Sequence, residues 1–249
     1  MHDYQAPSGL LNQRTILVTG ASDGIGRAAA ISYAQLGANV ILLGRHQDKL
    51  ISVYDYIEKK GYPKPAILPL DLAHTTAEQL DQLAQRLLDE FGSLHGLLHN
   101  AAVLGEITPL EQYEYGTWDL VMATNLRSVF LLTQALLPVL RQAAAASVIL
   151  TSSSVGRQGR PYWGAYAVSK AGIESLNQIW SQELKDTSAI RFNCINPGAT
   201  RTSMRQYAYP AENPETLRRP EEILNLYHFL MGDASIGITG QSFDAQPNN

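Results

Sequence analysis

The chain has 249 residues, of which 45% are hydrophobic, and a net charge of −4. It can therefore bury a sizeable core, and its charge balance argues against binding nucleic acid or an anionic membrane. A single cysteine, Cys194, excludes an intrachain disulfide, and residues 1–12 lack the apolar region of a secretory signal. We expect no stretch of about 18 apolar residues that could cross a membrane, and we predict a cytoplasmic protein.

Short apolar runs alternate along the chain with longer segments of helical period. The predicted strands are 15–19, 39–43, 66–70, 94–99, 147–152, 190–196 and 241–245. The predicted helices are 24–36, 48–60, 76–91, 117–140, 165–185 and 221–231. Nearly continuous apolar strands are typical of a parallel sheet that is covered on both faces.

This alternation predicts right-handed strand–helix–strand units and therefore an α/β fold. We expect a single doubly wound Rossmann-type domain over residues 1–249, with a short N-terminal tail at 1–12. Its parallel sheet would have about seven strands, with helices on both faces and ligands beyond the carboxyl ends of the strands. Residues 203–219 are the least patterned segment and are predicted to form a mobile lid, although an ordinary surface loop is the alternative.

A glycine cluster follows the first predicted strand. Gly20, Gly24 and Gly26 have the spacing Gly-x-x-x-Gly-x-Gly and open the first helix. A pyrophosphate needs such a turn, because bare backbone lets it approach the unpaired N–H groups of a helix N-terminus. A tight turn with no ligand is the alternative. The predicted phosphate-binding residues are Gly20, Ser22, Asp23, Gly24, Ile25 and Gly26.

The end of the second strand selects the cofactor in folds of this kind. A carboxylate there would bind the ribose of NAD, whereas an arginine would accept the additional phosphate of NADP. The sequence has Arg45 and no carboxylate at this point, so we predict NADP(H). The alternative is that Arg45 is a solvated surface residue.

A second constellation follows the fifth predicted strand. Tyr166 and Lys170 are four residues apart on a predicted helix and therefore share one face. A nearby ammonium should lower the pKa of a tyrosine and make it useful for general acid–base catalysis. Ser153 ends the fifth strand, and its hydroxyl can donate to a carbonyl oxygen. The Tyr-x-x-x-Lys pair and the serine at a strand end each occur by chance in many proteins. Their combination with the glycine turn, however, favours hydride and proton transfer.

These motifs resemble those of the short-chain dehydrogenase/reductases over essentially the whole chain. The resemblance is greatest to a bacterial subgroup of oxidoreductases whose substrate is unsettled. It implies that Ser153, Tyr166 and Lys170 are catalytic, that Asn125 holds a water of a proton relay, and that Lys170 also binds the nicotinamide ribose. The further cofactor-binding positions that it implies are Asp71, Leu72, Asn100, Ala101, Tyr166, Pro197, Gly198, Thr200 and Thr202. The family has glycine where this chain has Ala102.

The resemblance also implies a homodimer or homotetramer that pairs through its long helices, here 117–140 and 165–185. No group of His, Cys, Asp and Glu has metal-ligand spacing, so we expect no metal. Trp163 is three residues before Tyr166 and is a candidate for lining the substrate pocket. Tyr162 and Arg157 are weaker candidates.

The leading functional hypothesis is an NADP(H)-dependent oxidoreductase that acts on a carbonyl or secondary alcohol. A second hypothesis, from another class, is a cofactor-binding sensor or partner-binding protein with little turnover. A third retains the site but catalyses epimerisation or dehydration of a nucleotide sugar. The short segment after the sixth strand argues against the third hypothesis, and the intact set of candidate catalytic residues argues against the second.

Overall fold

The structure is a computed structural model that describes residues 1–247. Within this range, the sheet has seven strands in the order β3-β2-β1-β4-β5-β6-β7, and every neighbouring pair is parallel. The strands are β1 (Thr15–Thr19), β2 (Asn39–Gly44), β3 (Ala66–Pro69), β4 (Gly96–His99), β5 (Ala146–Thr151), β6 (Ile190–Asn196) and β7 (Gln241–Asp244). The predicted fold class is confirmed.

The α-helices follow the strands in chain order. They are α1 (Gly24–Gln35), α2 (Gln47–Lys59), α3 (Ala77–Phe91), α4 (Tyr115–Met122), α5 (Ser128–Leu140), α6 (Ser154–Arg157), α7 (Gly164–Leu184), α8 (Ser203–Ala208) and α9 (Asn225–Met231). Local sequence explains several ends. Thr76 and Gln79 form a reciprocal capping box at the start of α3, and Gly37, with φ +98°, follows the end of α1.

Two hydrophobic layers enclose the sheet. Helices α1, α2 and α9 pack on one face, where Tyr33, Leu50 and Tyr227 are fully buried. Helices α3, α5 and α7 pack on the other, where Leu132 and Phe192 are fully buried. Since both faces are covered, the strands need apolar side chains on both sides, which explains their continuous apolar runs.

The structure refines two of the predicted helices and the predicted N-terminal tail. The helix predicted at 117–140 is α4 and α5 joined by a π-helical turn, Ala123–Arg127. The segment predicted at 221–231 begins with a 3₁₀ turn, Pro220–Ile223, and continues as α9. The predicted tail at 1–12 is partly anchored, because Leu11 is fully buried and its N–H donates to the Leu36 carbonyl.

The continuous helical stretch Tyr115–Leu140 is long and apolar enough to cross a membrane by length and composition. The expectation that the sequence contains no such stretch is therefore wrong. Half of its most apolar window is buried inside the protein, and α5 packs against α3 and the sheet with Leu132 and Leu136 fully buried. Burial in the core therefore explains at least part of the apolar character of this stretch.

Candidate active site

A cleft of about 610 Å³ lies beyond the carboxyl ends of the strands. The strand order reverses between β1 and β4, and ligands bind at such a switch point in doubly wound folds. Seventeen of the nineteen predicted site residues line this cleft, so the fold brings together segments far apart in sequence. They are Gly20, Ser22, Asp23, Gly24, Ile25, Arg45, Asp71, Leu72, Asn100, Ala101, Ser153, Tyr166, Lys170, Pro197, Gly198, Thr200 and Thr202.

The glycine turn has the backbone that the motif predicts. Gly20 and Gly24 have φ of +66° and +52°, a region that favours glycine. Gly26 does not line the cleft, and its predicted role needs correction. A Cβ at Gly26 would overlap the Gly20 carbonyl oxygen, so this glycine allows the turn to close on itself.

Thr19, at the end of β1, fixes the loop that follows β4. Its buried hydroxyl donates to the Leu98 carbonyl (3.3 Å) and accepts from the Asn100 and Ala101 N–H groups (2.9 and 3.0 Å). Ala101 also lies close to Gly20, because a Cβ added at Gly20 would be 2.9 Å from the Ala101 Cα. Two walls of the cleft are thereby held together.

One end of the cleft is basic and follows β2 and β3. Arg45 lies there and its Nε donates to His46 at 3.1 Å. Lys49, on the first turn of α2, also lines this end; the sequence analysis missed it, although it is one helical turn beyond Arg45. Partial burial acts to raise the pKa of Asp71. The Ala73 N–H and the His74 ring form hydrogen bonds with its carboxylate, and their effect prevails, so that the pKa is lowered overall.

Tyr166 lies on the first turn of α7, at the other end of the cleft. Burial raises the pKa of Tyr166 to about 12, and a contact with the Ser153 hydroxyl acts in the opposite direction. We expected the pKa of Tyr166 to be lowered overall because Lys170 is nearby. It is instead raised, because desolvation of the phenol outweighs the effects that lower it. At neutral pH the phenol is therefore protonated and can act as a proton donor.

Lys170 is nearly inaccessible to solvent, with 3% of its surface exposed. Its Nζ donates to the Thr151 carbonyl at 2.7 Å and lies 5.5 Å from the centroid of the Tyr166 ring. Burial lowers the pKa of Lys170 to about 8, whereas Cys194 and Glu174 act to raise it. Most of this side chain is therefore still an ammonium at pH 7.

A polar network supports the backbone at the candidate catalytic serine, Ser153. Ser152 Oγ donates to Glu174 at 2.5 Å, and the same carboxylate oxygen accepts from Ser242 at 2.9 Å. Arg157, which follows Ser153 by one turn, binds Asp244 (2.8 Å) and Ser242 (2.8 Å). The network joins the end of β5 to α7 and β7, and Glu174 is a functional candidate that the sequence analysis did not identify.

Asn125 does not line the cleft, although it was expected to act in catalysis. The residue is 1% exposed and lies in the π-helical turn. Its Oδ1 accepts from the Val103 N–H (2.8 Å), and its Nδ2 donates to the Val103 carbonyl (2.9 Å) and Ser169 Oγ (3.1 Å). The side chain therefore fastens the loop after β4 to α7, beside Lys170.

The segment predicted as a lid contains a short helix over the cleft. Thr202 caps α8, and Ser203 Oγ donates to Asp23 in the glycine turn at 3.0 Å. The other Asp23 oxygen accepts from the Gly24 N–H at 2.7 Å. The start of α8 is thus fastened to the glycine turn.

Aromatic rings form the wall between α7 and the lid segment. Trp163 has its ring centroid 5.8 Å from that of Tyr166 and 6.0 Å from that of Tyr209. Trp163 lines the cleft as predicted, whereas Tyr162 and Arg157 do not belong to its lining. Arg160, Met204 and Tyr209 also line the cleft; the segments 154–163 and 203–219 were expected to shape the pocket, but these three residues were not singled out from the sequence.

The residues present fit a dinucleotide. The α1 N-terminus offers backbone N–H groups beside the glycine turn, which suits a pyrophosphate. Arg45 and Lys49 supply positive charge at one end of the cleft, while Ser153, Tyr166 and Lys170 supply proton donors at the other. In residues 1–247 no group of three or more His, Cys, Asp and Glu residues is arranged to hold a metal ion.

Comparison with known proteins gives one consistent family. The profile of the short chain dehydrogenases matches residues 14–213. The uncharacterized oxidoreductase YciK of Escherichia coli K12 is 50% identical over 247 residues, which cover 99% of this chain and 97% of that protein.

Solved structures extend the similarity to the whole fold. A protein from Shigella flexneri 2a, crystallised with NADP, superposes with a TM-score of 0.94 at 50% identity, over 97% of this chain and all of the other. A protein from Escherichia coli CFT073, crystallised with NADPH, gives the same TM-score, identity and coverage. The chain belongs to the short-chain dehydrogenase family and is YciK-like.

Proposed function

We propose that this protein is an NADP(H)-dependent oxidoreductase that interconverts a carbonyl and a secondary or primary alcohol. The observation that carries the proposal is the shared cleft, in which Ser153, Tyr166 and Lys170 lie at one end and the glycine turn and Arg45 at the other. Proton donors and a dinucleotide cradle meet in a single cavity, as hydride transfer to a carbonyl requires.

The cofactor is NADP(H). Arg45 and Lys49 provide two cations at the end of β2, where a 2′-phosphate would need them, and no carboxylate follows that strand directly. The complexes of two relatives with NADP and NADPH support the same assignment. Gly20, Gly24 and Ile25 would hold the pyrophosphate, and Asn100, Pro197 and Thr200 would contact the remainder of the dinucleotide.

When bound, the nicotinamide supplies or accepts the hydride. Tyr166 Oη gives its proton to the carbonyl oxygen during reduction, consistent with a pKa well above neutrality. The Ser153 hydroxyl donates a hydrogen bond to the same oxygen and stabilises the charge that develops there. The Lys170 ammonium favours the phenolate that remains, and Asn125 positions α7 through Val103 and Ser169.

We further propose a cytoplasmic homo-oligomer that pairs through α4–α5 and α7. Large apolar side chains are exposed on these helices: Leu120 is 40%, Phe130 38% and Ile179 47% exposed. An apolar surface of this kind is typical of a protein–protein interface. The apolar stretch Tyr115–Leu140 would then be divided between the core and the interface.

The test is oxidation of NADPH in the presence of a panel of small ketones and aldehydes. We expect Tyr166→Phe to lower kcat by about a hundredfold or more, because general acid catalysis contributes about that much. Tyr207→Phe is the matched control, since Tyr207 is 67% exposed and outside the cleft lining. Undiminished turnover in Tyr166→Phe would contradict the proposed acid. NADPH binding without turnover on the panel would favour a cofactor-binding sensor instead.

A further inference from the structure

An apolar cluster surrounds Tyr166 in its half of the cleft. Leu104 and Val155 are buried around the Tyr166 ring, and Trp163 and Met204 pack against this cluster. Such surroundings suit an aromatic or aliphatic body next to the reacting carbonyl, because the aromatic ring of Trp163 offers a large contact area.

Arginines surround this half, and most of them are paired. Arg157 binds Asp244 (2.8 Å), Arg201 binds Glu215 (3.0 Å), and Arg205 binds Glu212 through two hydrogen bonds of 2.6 and 2.7 Å. Their charges are therefore largely neutralised within the protein. The Arg205 guanidinium also lies over the Tyr209 ring, with its Cζ 3.8 Å from the ring centroid.

Arg160 differs from these three. It is an exposed residue that lines the cleft, and in residues 1–247 its side chain makes no hydrogen bond within 3.5 Å and no ion pair within 4.0 Å to another group of the protein. The carboxylates of the described cleft lining are Asp23 and Asp71, and both belong to the cofactor half. In a chain of net charge −4, the half of the cleft near Tyr166 thus keeps an uncompensated guanidinium.

The backbone is strained at Tyr162, two residues after Arg160. Tyr162 has φ +73°, a conformation that L residues rarely adopt. Strain of this kind persists where surrounding contacts impose it, and it is concentrated at functional sites. Here it lies between Arg160 and Trp163, whose ring contacts both Tyr166 and Tyr209.

We propose that the substrate is a carbonyl compound with an aromatic or aliphatic body and a carboxylate, and that Arg160 binds the carboxylate. This inference rests on the proposed oxidoreductase function. A guanidinium matches a carboxylate through two parallel hydrogen bonds. The cofactor phosphate does not need Arg160, because Arg45 and Lys49 follow β2 on the other side of the strand-order switch.

The test compares para-formylbenzoate with its methyl ester, in which a neutral ester group replaces the carboxylate. NADPH oxidation is measured for the native protein, for Arg160→Gln and for Arg86→Gln, an exposed arginine of α3 outside the cleft. We expect kcat/KM of the native protein to favour the acid by about tenfold or more, as a charge-assisted hydrogen bond would give. Arg160→Gln should remove that preference by lowering kcat/KM for the acid, and Arg86→Gln should keep the preference of the native protein.

Binding is measured separately, by tryptophan fluorescence of the Tyr166→Phe protein with NADP⁺. An acid that binds through Arg160 without being turned over by the native protein would uphold this inference and overturn the proposed function. Equal kcat/KM for acid and ester, unaltered by Arg160→Gln, would overturn this inference and leave the proposed function standing. Absence of binding of the acid, together with absence of turnover on the acid and on the whole panel of ketones and aldehydes, would overturn both.

Discussion

Lys170 shows how burial, charge and hydrogen bonding act together on one residue. A buried ammonium is costly unless it is hydrogen-bonded, and here the Thr151 carbonyl accepts from it at 2.7 Å. Its charge also affects its surroundings: burial, and secondarily the charge of Lys170, lower the pKa of His99 to about 3. His99 is therefore neutral beside Lys170 and adds no competing cation to the site.

Arg45 carries the cofactor prediction at the residue scale. We expect Arg45→Gln to weaken NADPH binding by about tenfold to a hundredfold, because a hydrogen bond between charged groups contributes about 1.5–3 kcal/mol. NADH binding should not change, since NADH lacks the phosphate. Titration of each nucleotide gives the two dissociation constants.

Lys59→Gln is the matched control, because Lys59 is an exposed cation at the end of α2, outside the cleft lining. It should leave both constants unaltered. Equal binding of NADH and NADPH by the native protein would contradict the role of Arg45.

Helix α7 organises the site at the scale of elements. Tyr166, Lys170 and Glu174 follow one another at intervals of four residues and so lie along one face. Tyr166 and Lys170 line the cleft, while Glu174 accepts from Ser152. One helix therefore carries the candidate acid and also holds the residue that precedes the candidate serine.

This arrangement predicts the effect of removing Glu174. Glu174→Ala should lower kcat by about tenfold, because small displacements of a catalytic group are costly, while the KM for NADPH changes little. Glu174→Gln keeps an oxygen acceptor for Ser152 and should restore much of the rate. Steady-state kinetics and the Tm of each variant separate misplacement of Ser153 from general loss of stability.

Glu183→Ala, at an exposed position near the end of α7, is the control. An unchanged kcat in Glu174→Ala would show that the network has no part in catalysis. Equal rates in Glu174→Ala and Glu174→Gln would show that the Ser152 hydrogen bond is not the operative contact.

A buried histidine, His99, and a partly buried one, His228, give the stability of the whole molecule a pH dependence. Burial lowers the pKa of His228 to about 4, and that of His99 is about 3, whereas in an unfolded chain both are about 6.5. As pH falls below 6.5, the unfolded state binds protons that the native state does not. The free energy of unfolding should therefore decrease as pH falls. Each histidine contributes about 1.4 kcal/mol per pH unit in the range between its pKa in the unfolded chain and its lower pKa in the native protein.

Urea unfolding between pH 7.5 and about pH 4.5 measures this slope. His228→Gln retains a partner for Ser32, whose hydroxyl lies 2.7 Å from the His228 ring, and it should make the slope shallower. His74→Gln removes an exposed histidine and should alter the slope less. Identical slopes in the native protein and His228→Gln would contradict this account.

The fold and much of the site could be predicted because they depend on short-range spacing. The period of the apolar residues predicts the alternating elements, and four-residue spacing places Tyr166 and Lys170 on one face. Gly20 and Gly24 require a backbone that other residues resist. These are properties of neighbouring residues, and the sequence by itself therefore determined the family, the position of the cleft and seventeen of the residues that line it.

The tertiary structure decided how those residues are used. It paired Arg205 with Glu212 and left Arg160 unpaired among the described residues, and it committed the Asn125 side chain to Val103 and Ser169. It also buried Tyr166 enough to raise its pKa, against the direction expected from Lys170 alone. The physical reason is that burial, ion pairing and hydrogen bonding depend on contacts between segments far apart in the chain, which local spacing does not encode.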